Sequence, residues 1–429
     1  MNALLRFTIE NFRSIAERKS IVFMPDSIKD EPRGNVVTTK ESSFLRTVAI
    51  YGANSSGKSN LINAIGCMSR LIVDSVKVND EEELPFFPFR LNLLNENKPT
   101  IYEIDAIISD VRYRYGFSNT NKRIVQEQLI QIEKSGKERI LFIRNENGIG
   151  VNEKFFPEGK DMEEKTNDNR LFISLVGQLS GKISNTIIKF FKNDLNTLSG
   201  LETDGYSTFT KYMLNKNLPG CEDMKNFFSQ MQLGFSNLST KVHDFNINEL
   251  PDNLPKELKD SFAKELAGKK MVDVFSIHKI FNEEGQPIES KSFNFEEMES
   301  AGTQKLFDMA GPIFDTILTG SILVIDELDA KMHPLISREI VGLFNDPERN
   351  PLGAQLIFTT HDTNLLSSKL LRRDQIWFTE KDSLERTDVY SMRDIVLPGG
   401  KKPRGDGNME RNYIKGRYGA IPYIRTSID

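Results

Sequence analysis

The chain has almost no cysteine. Cys67 and Cys221 are the only two among 429 residues, too few for a disulfide framework and without the paired spacing of a metal site. A reducing, cytoplasmic setting is the expectation. Long apolar runs are lacking as well. No stretch approaches the roughly 18 apolar residues that a membrane-spanning helix needs, and the opening MNALLRFTIENFRSIAERKS carries charges throughout, unlike a secretory signal. Membrane association through this chain is therefore not expected. Nor is there an excess of positive charge. The net charge is −5 and the pI about 5.7, so any nucleic-acid contact has to be local or indirect. Sustained heptads, internal repeats and low-complexity tracts are absent, which excludes a long coiled-coil arm. What remains is 27% charged and 38% hydrophobic, the balance of a soluble globular protein, long enough for two or three domains.

The first part of the chain reads as strands running into a helix. LLRFTIENF and KSIVFM have strand length and apolar clustering. FLRTVAIYGANSSGKSNLINAIGCMSRLI predicts a strand over 47–51, a glycine loop, and a helix from Lys58 with Leu61, Ile62, Ile65 and Met68 on one face. Residues 78–150 return to strand patterns, with turns at NTNK and KSGK that predict antiparallel hairpins. Residues 151–270 change to helical spacing in NRLFISLVGQLSGKISNTIIKFFKNDL, CEDMKNFFSQMQLGF and PKELKDSFAKELAGKK, and predict a compact helical insertion, a lid or arm. From 271 the order is KMVDVFSIHKIFN and PIESKSFNF around an EGQ turn, a helix, the buried strand SILVID, a helix over 334–344, and the strand AQLIFTT. Strands alternating with helices argue a parallel sheet with crossovers. The Gly-rich, basic tail predicts a loop before a short closing segment.

The strongest chemical signal is GANSSGKS, Gly52 to Ser59, a full G-x-x-x-x-G-K-S. Its glycines let the backbone curl so that N–H groups face phosphate oxygens, and the helix N-terminus adds partial positive charge. Lys58 would reach the β- and γ-phosphates of ATP and Ser59 would ligate Mg²⁺. Gly52, Asn54, Ser55, Ser56, Gly57 and Asn60 complete the candidate cradle. SILVIDE supplies an acidic strand end, with Asp326 suited to the Mg²⁺ shell and Glu327 to polarising the attacking water as general base. FTTHD ends another apolar strand in His361, a neutral donor for the γ-phosphate. Between these lies SAGTQ, where Ser300, Gly302 and Gln304 stand at S-x-G-x-Q spacing ahead of a helix. Each feature alone also fits an ordinary structural part: a helix start, an acidic strand end that caps the next helix, or a strand-end histidine bonded to a loop carbonyl. Lys331 and His333 read as a turn before Pro334, and Lys401 to Arg404 as a solvated basic loop.

GANSSGKS, SAGTQ, LVIDELD and TTHD come in the order of an ABC-type ATPase head, and the chain resembles the heads of the SMC and RecF group. FTIENFRSI resembles the opening of those heads. More narrowly, four stretches resemble the AbiL/RloA-like AAA-type ATP-binding proteins of abortive-infection systems: VAIYGANSSGKSNLINAI, PFFPFRLN with YEIDAIISDVRYRYGFS, VIDELDAKMHPLISREIVGLF, and the ending NYIKGRYGAIPYI.

The resemblance implies an α/β fold: an ABC/SMC-type P-loop ATPase head, a mixed sheet with flanking helices plus an antiparallel β-subdomain, with a helical domain inserted. Residues 1–150 and 271–429 would form the head and 151–270 the insertion. It also implies that ATP is sandwiched. One subunit would supply the P-loop, the acidic pair and His361. The other would supply Ser300 as a γ-phosphate donor, Gly302 for close backbone approach, Gln304, and Asp329 across the seam. Arg13, in the segment Asn11 to Ser14, would lie near the adenine or the phosphates. A homodimer or a higher assembly of dimers follows. Two departures stand out. Glu299 replaces the leucine usual before the serine, and PFFPFRLN offers Arg90 and Asn92 but no Q-loop glutamine.

The implied activity is slow ATP hydrolysis by a sensor or regulator of a toxic effector or nuclease encoded beside it, in phage defence. No nuclease signature occurs in the chain, so destructive chemistry falls to that partner. Nucleic acid and a phage-derived trigger are further partners the resemblance admits. The alternative is a RecF/SMC-like DNA-repair or chromosome-maintenance ATPase that binds DNA in an ATP-dependent way. The large insertion and the N-F-R-S opening disfavour a transporter ATPase, and Glu327 disfavours a non-hydrolysing scaffold.

Overall fold

The computed structural model describes residues 1–27, 32–77, 79, 81–200, 204–246, 264, 268–397, 399–400, 402–403 and 407–422. The chain divides into two compact units. One comprises Met1–Leu201, Thr319–Ala330 and Pro334–Asp429, the other Glu202–Leu318 and Lys331–His333.

The first unit is built around the strand Thr47–Gly52. Its sequence TVAIYG is buried at every position, as a strand covered on both faces requires. The spatial order of its sheet is Leu195–Ser199, Ile322–Asp326, Gln355–Thr359, Thr47–Gly52, Ile376–Lys381 and Thr387–Ser391. All neighbours run parallel except the last pair. The carboxyl ends of five strands therefore share one edge, where open α/β sheets bind ligands. The helix Lys58–Asp74 starts where the glycine loop predicts and buries Leu61, Ile62, Ile65 and Met68.

A second, seven-stranded antiparallel sheet runs in the order Gly148–Val151, Glu138–Asn145, Ile124–Ile132, Val111–Asn119, Thr100–Ile108, Ala3–Glu10 and Lys19–Val22. The hairpins predicted at NTNK and KSGK are present, closed by Thr120 N–H to Arg123 O (3.0 Å) and Glu133 N–H to Lys137 O (2.9 Å). One apolar core joins both sheets and the long helix through Phe7, Ile50, Leu61, Tyr102, Phe142 and Val324.

The predicted boundaries of the insertion differ from this division. The helices Phe172–Gln178 and Lys182–Lys189 belong to the first unit, and Leu195–Ser199 is a strand beside Ile322–Asp326. Two carboxylates, the buried Glu127 and the half-buried Glu158, fasten the helices there. Glu127 accepts the N–H groups of Phe172 (2.7 Å) and Ile173 (3.0 Å) and the hydroxyl of Tyr115 (3.0 Å). Glu158 accepts from Ile183 N–H and from Ser184 N–H and Oγ. Such helix N-termini take their caps from residues remote in sequence, which local spacing does not reveal.

The second unit begins later and is not wholly helical. It holds the helices Asp204–Lys216, Cys221–Gln230, Phe295–Met298 and Ala301–Thr319 with a three-stranded antiparallel sheet, Asn237–Asp244, Lys270–Phe281 and Pro287–Asn294. Its core is aromatic, with Phe228 stacked on Phe307, and Phe295 and Phe314 alongside. Pro312 lies inside Ala301–Thr319 and cannot donate to the carbonyl one turn back. Thr210 compensates: its hydroxyl donates to Asp308 O (2.8 Å) and accepts from Gly311 N–H (3.1 Å). The helix predicted over PKELKDSFAKELAGKK lies almost wholly outside the described residues. Among the described residues no helix is long and apolar enough to cross a membrane.

Replacing Glu127 by Gln tests the fastening of the Phe172 helix. Burial pushes the Glu127 carboxyl pKa up, against the two backbone donors. An amide supplies one acceptor and turns an NH₂ toward the remaining helix N–H, so a loss of about 1–3 kcal/mol is expected. An unchanged urea midpoint would show that the carboxylate holds nothing.

Candidate nucleotide site

The loop after Thr47–Gly52 curls through two left-handed residues, Ser55 (φ 63°) and Gly57 (φ 110°). Its glycines answer to neighbours outside the loop. A Cβ on Gly52 would fall 2.5 Å from Ser56 Oγ and from Thr379 O, and one on Gly57 would strike the side chain of Thr387. Hydroxyls hold the loop in this shape. Ser56 Oγ and Thr379 Oγ1 are 2.6 Å apart, and Thr387 Oγ1 donates to Ser56 O at 2.9 Å. Ser14 Oγ lies 2.8 Å from Thr387 Oγ1 and accepts from Asn60 Nδ2 at 2.7 Å. The 17-residue helix that follows has no side-chain cap and no acidic residue in its first turn, which leaves its N-terminal N–H groups suited to an anion. Lys58 Nζ donates to Gly52 O (2.8 Å) and Ala53 O (3.0 Å). Burial lowers its pKa, opposed by the charges of Asp326, Glu327 and Asp329.

The acidic pair is organised by one threonine. Thr359 Oγ1 donates to Asp326 Oδ1 (2.6 Å) and accepts from Glu327 N–H (2.7 Å). Glu327 itself is held at φ 56°, a conformation costly for a side-chain-bearing residue. From the other side Gly200 N–H donates to Asp326 O at 2.5 Å, and a Cβ on Gly200 would strike Glu327 O. Asp329 accepts from His361 N–H with both carboxylate oxygens at 3.3 Å. Partial desolvation, then the Lys58 charge, lower the His361 pKa below its ordinary value, against the carboxylates of Asp329, Glu327 and Asp326.

The loop, Glu327 and His361 meet in an open cleft of about 560 Å³ lined by the run Asn54 to Asn60, Glu327, His361 and Lys381; Asp326 and Asp329 are not among its lining residues. A second cleft of about 520 Å³ shares Lys381 with it and holds Arg13, Phe87, Phe89 and Arg90. The Arg13 guanidinium lies over the Phe87 ring (5.4 Å), on a backbone at φ 48°. Asn11 builds this region: its amide donates to Asn95 O and Lys98 O and its Oδ1 accepts from Phe89 N–H. Asn92, one of the two polar residues of PFFPFRLN, caps the short helix Leu93–Glu96.

Ser300, Gly302 and Gln304 lie in the second unit and line neither cleft. Ser300 caps the helix Ala301–Thr319, accepting from Thr303 N–H at 3.2 Å. The Gln304 amide folds back onto Glu296 O (2.7 Å) and Glu299 O (2.9 Å). A Cβ on Gly302 would come within 2.8 Å of Lys331 O. Glu299, the departure from the usual leucine, pairs with His278 at 2.9 Å, so the three-stranded sheet occupies it.

The donor set suits a triphosphate with Mg²⁺. Ser59 and Asp326 carry hard oxygens of the kind that ion takes. Among the described residues no cluster of three or more His, Cys, Asp or Glu could hold a metal, so an ion here would draw its remaining ligands from phosphate and water. Sequence reasoning gave no role to Gly200, Thr359, Thr379, Lys381 and Thr387, and named Ser14 only as the end of the segment Asn11 to Ser14. Of these, Thr359 lay in a motif already singled out, FTTHD, as a threonine beside a strand end. Thr359→Val preserves shape but deprives Asp326 of its donor and Glu327 N–H of its acceptor. Turnover of a bound triphosphate should fall about 100-fold with affinity within about threefold, and Thr359→Ser should restore most of it. Unchanged turnover in the valine variant would contradict the positioning role.

Solved structures similar to this chain include an SMC head bound to the C-winged helix domain of ScpA, at 14% identity, covering 90% of this chain and 97% of that chain with a TM-score of 0.42. An SMC head domain from Thermotoga maritima aligns at 11% identity over 90% and 98%, TM-score 0.37. The recombination mediator protein RecF-ATPrS of the RecFOR pathway aligns at 12% over 90% and 98%, TM-score 0.30. No curated protein matches the chain. Residues 48–367, about three quarters of the chain and the stretch holding the glycine loop, SAGTQ, the acidic pair and His361, match the family "AAA domain, putative AbiEii toxin, Type IV TA system", and the chain belongs to it.

Proposed function

We propose that the protein is an ATPase that binds ATP with Mg²⁺, hydrolyses it between two copies of the chain, and through that cycle controls a toxic effector or nuclease encoded beside it in antiviral defence. The observation that carries the enzymatic part is one cleft uniting an uncapped helix N-terminus, Lys58, Glu327 and His361 at the carboxyl ends of parallel strands. The effector role draws on the family's description, which names a toxin and a toxin–antitoxin system.

In this reading the loop amides and the start of the helix Lys58–Asp74 hold the phosphates. Lys58 exchanges Gly52 O and Ala53 O for phosphate oxygens. Ser59 and Asp326 would hold Mg²⁺, which when bound would supply charge neutralisation to the phosphates. Glu327 takes the proton of the attacking water. His361, neutral because its pKa is lowered, donates a hydrogen bond toward the γ-phosphate. Ser300 of a second copy, an exposed cap residue, supplies the opposite wall with the N-terminus of Ala301–Thr319.

Lys58→Ala and Glu327→Gln should each cut ATP hydrolysis at least about 100-fold and abolish phage protection, with ATP binding lost in the first and kept in the second. Wild-type hydrolysis in either variant would sink the assignment. The pH dependence is a further test. A lowered His361 pKa means that the neutral donor persists until the pH falls below the ordinary 6.5. The acid limb of kcat/KM should therefore lie below pH 6.5 and change in His361→Gln; a limb centred above that value would contradict the role.

A further inference from the structure

We propose that Lys381 is a nucleotide-binding residue that contacts the α-phosphate, where the phosphate cleft meets the aromatic one; the inference rests on the ATPase reading above. Strand geometry aims the side chain. Ile376–Lys381 runs parallel to the loop strand with Thr379 opposite Gly52, so Lys381 projects beyond the end at which the glycine loop begins. Alternation puts Lys381 on the same face as Thr379, whose hydroxyl touches Ser56. Glu380 faces the other way, accepting from Tyr390 OH (3.1 Å) and Ala420 N–H (3.3 Å). In the antiparallel hairpin Lys381 stands opposite Thr387, which donates to Ser56 O. Both neighbours of Lys381 on this face thus grip the loop.

Among the described residues Lys381 alone lines both clefts. On one side lie the loop amides, Lys58, Glu327 and His361. On the other lie Arg13 and the Phe87 ring, a surface for the nucleoside end. A chain of phosphates that starts at Lys58 and ends in a nucleoside at Arg13 passes Lys381 at its α-phosphate. The Lys381 side chain is about a third exposed, and among the described residues its ammonium has only a loose pairing to Glu385, at 3.4 Å across the turn. Such a pair holds its charges weakly, and a phosphate oxygen displaces it readily.

Titration of the full-length protein with ATP and with ADP, followed by calorimetry, tests this. Lys381→Ala should weaken both nucleotides about tenfold, because both carry the α-phosphate, and Lys381→Arg should recover most of the loss. Glu385→Gln separates binding from hairpin stability. Freed of its carboxylate, Lys381 should bind ATP about twofold tighter; if Glu385→Gln instead reproduces the alanine loss, the pair is only structural and the proposal fails. Wild-type ATP binding with an unchanged Lys381→Ala variant overturns this inference alone. A wild-type protein that binds no ATP overturns the ATPase reading and this inference with it.

Discussion

Everything at the site depends on a loop with no room to relax. Thr379 presses on it from the next strand, Thr387 from the returning strand, and Ser14 joins in from the N-terminal segment. Gly52 and Gly57 are glycines because those neighbours occupy the space a Cβ would need. An anion site made of backbone N–H groups works only if they converge before the anion arrives, since ordering them at the moment of binding would cost affinity. Here the ordering is done by hydroxyls from segments more than 300 residues apart in the chain. The same packing positions Arg13 and Lys381 beside the loop.

The acidic side is built on the same principle. Thr359 ties the Asp326 carboxylate to the Glu327 backbone, so the orientation of one constrains the other. Gly200 presses on the main chain of both. The left-handed Glu327 is the strained point that these contacts hold in place. In sequence the pair lies in the short stretch Thr319–Ala330, where the chain returns to the first unit before leaving it again at Lys331.

Local chemistry was legible in the sequence; long-range chemistry was not. The helix begins at Lys58 and the hairpins close at NTNK and KSGK because glycine loops and short turns are set by the residues within them. The strand Leu195–Ser199 escaped notice because its five residues follow a helical run and gain strand character only from Ile322–Asp326 beside them. The insertion was misjudged for a related reason: Glu127 and Glu158 recruit two of its supposed helices to the first unit. Ser300 was legible as a helix cap. That the Gln304 amide would turn back onto Glu296 and Glu299 was not, because nothing in S-x-G-x-Q specifies it.

The central claim is that the site is completed by a second copy of the chain. Complementation tests it most directly. Lys58→Ala carries an intact SAGTQ segment and Gly302→Asp an intact loop, and neither variant should hydrolyse ATP alone. Mixed, they can form one complete site per heterodimer, so hydrolysis should reappear at a substantial fraction of the wild-type rate. If Gly302→Asp alone hydrolyses ATP normally, or if the mixture stays inactive while both variants still associate, the shared site is contradicted.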